Sequence, residues 1–176
     1  MELLEARKLL EGSHVDVSEK RYRRANGAEV ERQVVEAPDS VSVLAYDEEF
    51  VYLVAQPREA LEEDRLLEIP AGTLDVEDES ELDCAKRELA EEVQLRAERW
   101  SVLQVAHLSP GFLTEKTTIF EATGLSPAAA DRDEEEEIEV VRLPLAEVGE
   151  ALPRIRDAKT VIALLYLGER LRAASG

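Results

Sequence analysis

The stretch Arg87-Glu88-Leu89-Ala90-Glu91-Glu92 constrains this chain more tightly than any other. Around it, apolar residues recur with helical period. At 100° per residue, Leu82, Ala85, Leu89 and Val93 form one stripe. A helix with such a stripe must lay it on a core, and Glu88 and Glu92 flank the stripe, at the core's margin. Glu88, Glu91 and Glu92 stand at i, i+3 and i+4, which brings three carboxylates onto one face. Clustered carboxylates repel one another, and a divalent cation relieves that repulsion. An oxygen-only donor set suits a hard ion of the Mg²⁺ kind. A solvated acidic face fits the same spacing equally well.

The residues ahead of the helix narrow the choice. Leu66-Leu67-Glu68-Ile69-Pro70-Ala71-Gly72 is a short apolar run that meets a Pro-Ala-Gly turn signal, so it reads as a strand passing into a loop. An acidic loop leads from Gly72 to Glu79, and Arg87 follows after seven intervening residues. Taken together, residues 72 to 95 resemble the Nudix box. That signature is a glycine, five residues, a glutamate, seven residues, then Arg-Glu-aliphatic-x-Glu-Glu-x-Gly-aliphatic. Two departures stand out: six residues separate Gly72 from Glu79, and Gln94 takes the place of the last glycine. An extra loop residue costs little. A side chain at Gln94 costs about 1 kcal/mol if left-handed geometry is required there.

The resemblance implies a role for each matching residue. Glu88, Glu91 and Glu92 match the metal-binding glutamates, and the carbonyl of Ala71 matches a further oxygen ligand. Glu79 and Arg87 match a structural ion pair that joins loop to helix. Nudix enzymes hydrolyse a nucleoside diphosphate linked to another group, with Mg²⁺, or Mn²⁺ in its place, and an attacking water. Divalent ions neutralise a diphosphate, orient water and stabilise charge on the leaving phosphate.

Three features outside the box point to the ADP-ribose pyrophosphatase-like branch. Ser109-Pro110-Gly111-Phe112 resembles a substrate-side motif of that branch, implying contacts from Pro110, Gly111 and Phe112. On its own it is an ordinary Pro-Gly turn. The acidic run from Asp131 to Glu137 leads into strand-like Ile138-Glu139-Val140-Val141. By default such a run is a solvated loop. In the resembling enzymes it supplies a water-activating glutamate, matched here by Glu134, and a metal-associated one, matched by Glu136. Alternate residues of an extended segment point the same way, so both could reach one site. Third, Phe50 to Arg58 reads as a buried strand ending in Gln-x-Arg. The resemblance gives Arg58 the substrate's phosphates, a task suited to a guanidinium fork. It gives Arg32 a second substrate contact and places Glu68 near substrate or metal. For each, a surface ion pair is the plainer reading in so acidic a chain.

At 176 residues, the chain can hold one well-cored domain plus an appendage. A net charge of −19 argues against nucleic acid or an anionic membrane as partner. Cys84 is the only cysteine, so no disulfide forms within the chain. The leucines near the N-terminus are interrupted by Glu2, Glu5, Arg7 and Lys8, unlike a signal peptide, and a cytoplasmic protein is expected. Strand signals on either side of Asn26-Gly27 predict a β-hairpin within residues 1–40. Such a piece must pack on something. The resemblance implies an N-terminal antiparallel β subdomain that forms a homodimer. Residues 41–176 are then the Nudix domain, an α/β/α sandwich with a mixed sheet, closed by an amphipathic helix over about 158–173. Trp100 and Tyr166 read as core. The function expected is Mg²⁺-dependent hydrolysis of ADP-ribose to AMP and ribose 5-phosphate. The alternatives are another nucleoside diphosphate sugar as substrate, or a non-catalytic module that senses ADP-ribose.

Overall fold

Val41, Val43 and Ala45 point to one side of strand β4 (Ser40–Tyr46) and Leu44 to the other, and all four are fully buried. A strand covered on both faces lies at the centre of a sandwich. The structure is a computed structural model that describes residues 1–130 and 137–174. On one edge, β4 pairs in parallel with β9 (Lys116–Pro127). On the other it pairs antiparallel with β5 (Phe50–Arg58), but only at Ala45↔Tyr52 and Tyr46↔Val51. Beyond those pairs β4 and β5 part. The gap is filled by β6 (Glu63–Glu68), which pairs with β5, and β7 (Ala71–Thr73), which pairs with β4. Outer positions go to β8 (Leu95–His107), beside β9, and β10 (Glu139–Pro144), beside β5.

Pro70 does not turn the chain into a loop, as its flanking residues suggest; the strand resumes at Ala71. Having no N–H, Pro70 leaves no donor unmatched where the chain changes partners, and its carbonyl accepts from Val43 N at 2.8 Å.

Helix α1 (Glu81–Val93) covers one face of the sheet. Ser80 caps it by accepting from Asp83 N at 3.1 Å, and Cys84, Ala85, Leu89 and Val93 pack on Val41, Val43, Phe120 and Ala122. Short helix α2 (Val148–Ala151) and long helix α3 (Ala158–Ala174) cover the other face. There Ala163, Leu164 and Leu167 meet Leu44, Leu53, Ile69 and Ile119. Burying a leucine such as Leu89 or Leu164 stabilises by about 1.5–3 kcal/mol, which holds each helix to its face. The α/β/α expectation and the mixed sheet are met. Trp100 packs edge-on to Phe120, with ring centroids 6.3 Å apart. Tyr166 departs from the core reading. It lies on the outer side of α3, exposed, with its hydroxyl donating to Gln104 at 3.1 Å.

Gln94 ends α1 in the left-handed conformation, φ 58° and ψ 38°, the geometry the family glycine would adopt. Its own carboxamide offsets part of that strain by donating to Ala90 O at 2.9 Å. The loop with the extra residue turns through Asp78, also left-handed at φ 63°.

The first three strands form a separate antiparallel sheet: β1 (Glu2–Glu11), β2 (Asp16–Arg23) and β3 (Glu29–Glu36). Gly27 supplies the positive φ of the β2–β3 turn, and the Asn26 side chain accepts from Ala28 N. Val35 N donates to Phe112 O at 2.7 Å and Thr114 N to Val35 O at 3.0 Å, which tacks this sheet to the sandwich. Leu3, Leu9 and Leu10 of β1 remain exposed.

Candidate active site

A cavity of about 750 Å³ opens where β7 meets α1. Glu88, Glu91 and Glu92 project from the helix into its wall, opposite the Ala71-Gly72 backbone. Glu92 is nearly buried, 5 % exposed, and accepts from Ala71 N at 3.0 Å. Glu88 lies so close over β7 that a Cβ on Gly72 would fall 1.9 Å from its Oε1. Only glycine leaves that carboxylate its place.

Arg87 supplies positive charge among these acids. Its guanidinium grips Glu79 through Nε and Nη2, both at 3.0 Å, and donates through Nη1 to Glu88 at 2.7 Å and Glu91 at 3.0 Å. The paired Arg87 holds the Glu79 carboxyl below the usual carboxylate range. Cys84 lies beneath the arginine, and burial pushes its thiol up to about 12, leaving it an inert packing group.

Among the described residues, no three His, Cys, Asp or Glu side chains stand close enough together to hold an ion as they are oriented. Glu88 and Glu91 lean on Arg87, and Glu92 leans on Ala71 N. The donor set nevertheless fits a hard divalent cation. It is all oxygen, mounted on one helix face, and Gly72 leaves room beside Glu88. Rotation of these side chains separates the two arrangements.

Cationic groups line another part of the cavity. Arg58, at the end of β5, forms a two-pronged pair with buried Glu68, at 2.6 and 3.0 Å. Lys159, in the first turn of α3, also reaches Glu68, at 3.4 Å, and pairs with Asp157 at 2.7 Å. Asp157 accepts from both Thr160 N and Thr160 Oγ1, and Thr160 Oγ1 accepts in turn from Ile69 N at 2.7 Å. Burial alone would raise the Asp157 carboxyl. Lys159 and the Thr160 donors outweigh it and hold the group below the usual range. The network thus ties the start of α3 to the strand that delivers Ala71 and Gly72.

Of the residues singled out in the sequence, Ala71, Glu88, Glu91, Glu92 and Arg58 line one cavity, and Glu68 sits behind Arg58. Arg32 lies elsewhere, exposed on β3, with its guanidinium on Glu31 O. Pro110, Gly111 and Phe112 lie outside the cavity lining, in the loop tacked to β3, and Phe112 is exposed. Glu134 and Glu136 fall outside the described residues. Sequence reasoning assigned no role to Lys159 or Glu115, which also line the cavity. Glu115 accepts from Ser40 Oγ at 2.6 Å. Glu115 just precedes β9 and Lys159 lies in the first turn of α3, and spacing alone does not reveal which residue there faces inward.

The family profile of the NUDIX domain matches residues 36–165. The chain is 37% identical over 147 residues to the methanol dehydrogenase activator of Bacillus methanolicus, covering 81% of this chain and 78% of that protein. It is 34% identical over 164 residues to the ADP-ribose pyrophosphatase of Bacillus subtilis, covering 90% and 88%. Its fold superposes on a crystal structure of an ADP compounds hydrolase with a TM-score of 0.84 and 24% identity, over 99% of this chain and 95% of the other. With a domain profile spanning most of its length and relatives aligned almost end to end, this chain belongs to the Nudix family.

Proposed function

We propose that this Nudix pyrophosphohydrolase cleaves the diphosphate bridge of ADP-ribose, yielding AMP and ribose 5-phosphate, with Mg²⁺ as its ion and Mn²⁺ able to replace it. The observation that carries the reading is one cavity that joins the acids of α1 and Ala71 to the cations Arg58 and Lys159. A diphosphate needs both: cations for its outer oxygens, and acids to hold metal against it. When bound, the divalent ions supply charge neutralisation and an activated water.

The chain's own groups have separate tasks. Glu88, Glu91, Glu92 and the Ala71 carbonyl hold the ions. Arg58, braced by Glu68, binds and orients phosphate. Glu134 takes the proton from the attacking water, and Glu136 assists at the metal. The water oxygen bonds to one phosphorus while the bridging P–O bond breaks, so each product leaves with one phosphate. Residues 1–40 serve as the dimerisation segment and 41–176 as the catalytic domain. Arg32 and the loop at Pro110, Gly111 and Phe112, which lie outside this cavity, contribute to substrate binding across the dimer. A cytoplasmic setting fits, since nucleotides and divalent cations are both at hand there.

Purified protein given ADP-ribose and Mg²⁺ should release AMP, and a chelator should abolish release. Glu92→Gln preserves shape and an acceptor for Ala71 N but removes a charge; kcat should fall by about 10²–10³-fold. No AMP from the wild type, or an unimpaired variant, would count against the proposal. Comparing kcat/KM across a panel of nucleoside diphosphate sugars tests whether another sugar is preferred.

A further inference from the structure

Gln94 stands where the family pattern has glycine, yet it keeps the glycine's left-handed backbone. A side chain in that conformation is strained relative to glycine. Its contacts run to two parts of the fold. Toward α1, the backbone N–H donates to Ala90 O at 3.1 Å, and Nε2 donates to Ala90 O at 2.9 Å and Glu91 O at 3.3 Å. Toward the chain leaving β9, Nε2 donates to Ala130 O at 3.0 Å, and Gln94 O accepts from Ala128 N at 2.9 Å. Helix capping requires only the first group. The Ala130 bond adds nothing to the helix end; it joins a second element to it.

That join has a functional address. The helix turn it grips bears Glu91 and Glu92, both in the cavity wall. The chain it grips is followed by the acidic sequence 131–137 and then by Ile138, which lines the same cavity. Beyond Ile138, β10 is fixed by pairing with β5, beginning at Glu139↔Ala55.

We infer that Gln94 is a positioning residue for diphosphate cleavage. Its carboxamide ties Ala130 to the last turn of α1, beside the backbone bond from Ala128 N to Gln94 O, and so sets that segment's place relative to the carboxylates of Glu91 and Glu92. The inference rests on the hydrolase reading above.

Two substitutions separate the tie from simple capping. Gln94→Gly adopts the left-handed backbone without strain and keeps the backbone bonds to Ala90 and Ala128, but loses every side-chain carboxamide contact. Gln94→Asn tolerates that backbone and caps locally, yet is one methylene too short to reach Ala130. Both should melt close to the wild type. Both should lose about tenfold in kcat with KM little changed, as expected when alignment rather than binding is lost. In hydrogen–deuterium exchange, the amides of 128–130 should exchange at least about tenfold faster in each variant. Wild-type turnover in either variant, unchanged exchange, or a loss of rate that merely follows a falling melting temperature would overturn the inference. A wild type that cleaves no nucleoside diphosphate sugar removes the hydrolase reading and this inference together. An active wild type matched by Gln94→Gly removes this inference alone.

Discussion

A methyl group at Gly72 would lie 1.9 Å from Glu88 Oε1, so Gly72→Ala forces that carboxylate aside. The displaced atoms belong to a side chain that can swing, so stability should change little. The cavity would still lose one oxygen from its place, and kcat should drop by at least about tenfold while the melting temperature stays within a few degrees. Steady-state turnover, run beside circular dichroism melts, checks both halves. The acids themselves are legible in the sequence because helical spacing dictates that they share a face. The role of Gly72 as clearance for Glu88 is half legible: the glycine is visible, but what it makes room for lies sixteen residues away and appears only when β7 and α1 are packed together.

Among the elements, the start of α3 bears most on the site. Thr160 is fully buried and accepts the Ile69 N–H, so it ties α3 to the junction between β6 and β7. Thr160→Val keeps the volume and leaves that N–H without its acceptor, at a cost of about 1–3 kcal/mol. For a chain of this size the melting temperature should fall by roughly 2–12 °C. Asp157 adds a pH dependence. Its carboxyl is depressed in the folded state, so its stabilisation is present above the ordinary carboxylate pKa of about 4 and is lost as pH falls through the lower folded value. Asp157→Asn should therefore melt earlier at pH 7. Between pH 5 and pH 3 its melting temperature should fall less than the wild type's. Equal slopes for the two proteins would remove Asp157 from the account. Sequence pattern finds α3 by its apolar period, but the period does not show that its first polar turn faces β6.

Across the whole molecule, the N-terminal sheet leaves Leu3, Leu9 and Leu10 of β1 exposed beside a dense set of surface ion pairs, such as Arg7–Glu19 and Arg21–Glu5. Exposed ion pairs contribute little, so those pairs alone do not account for the sheet's order. If residues 1–40 join two copies, sedimentation should give about twice the 19.7 kDa chain mass. Deleting residues 1–11 should shift the protein toward monomer, and a wild type that sediments as a monomer would exclude the dimer. Among the described residues, no helix is long and apolar enough to cross a membrane.

Local pattern along the chain is enough to specify the elements and their chemistry: the acid-bearing helix, the buried strand at Phe50 to Arg58, the Asn-Gly hairpin and the closing helix. These are written in local periodicity, which backbone geometry converts directly into faces. Packing in three dimensions is what lets Pro70 carry a strand across from β5 to β4, turns Lys159 and Glu115 to the cavity, and sets Arg87 between Glu88 and Glu91. Each of those depends on contacts between residues far apart in the chain or on the choice of a side-chain rotamer, and no short-range pattern encodes either.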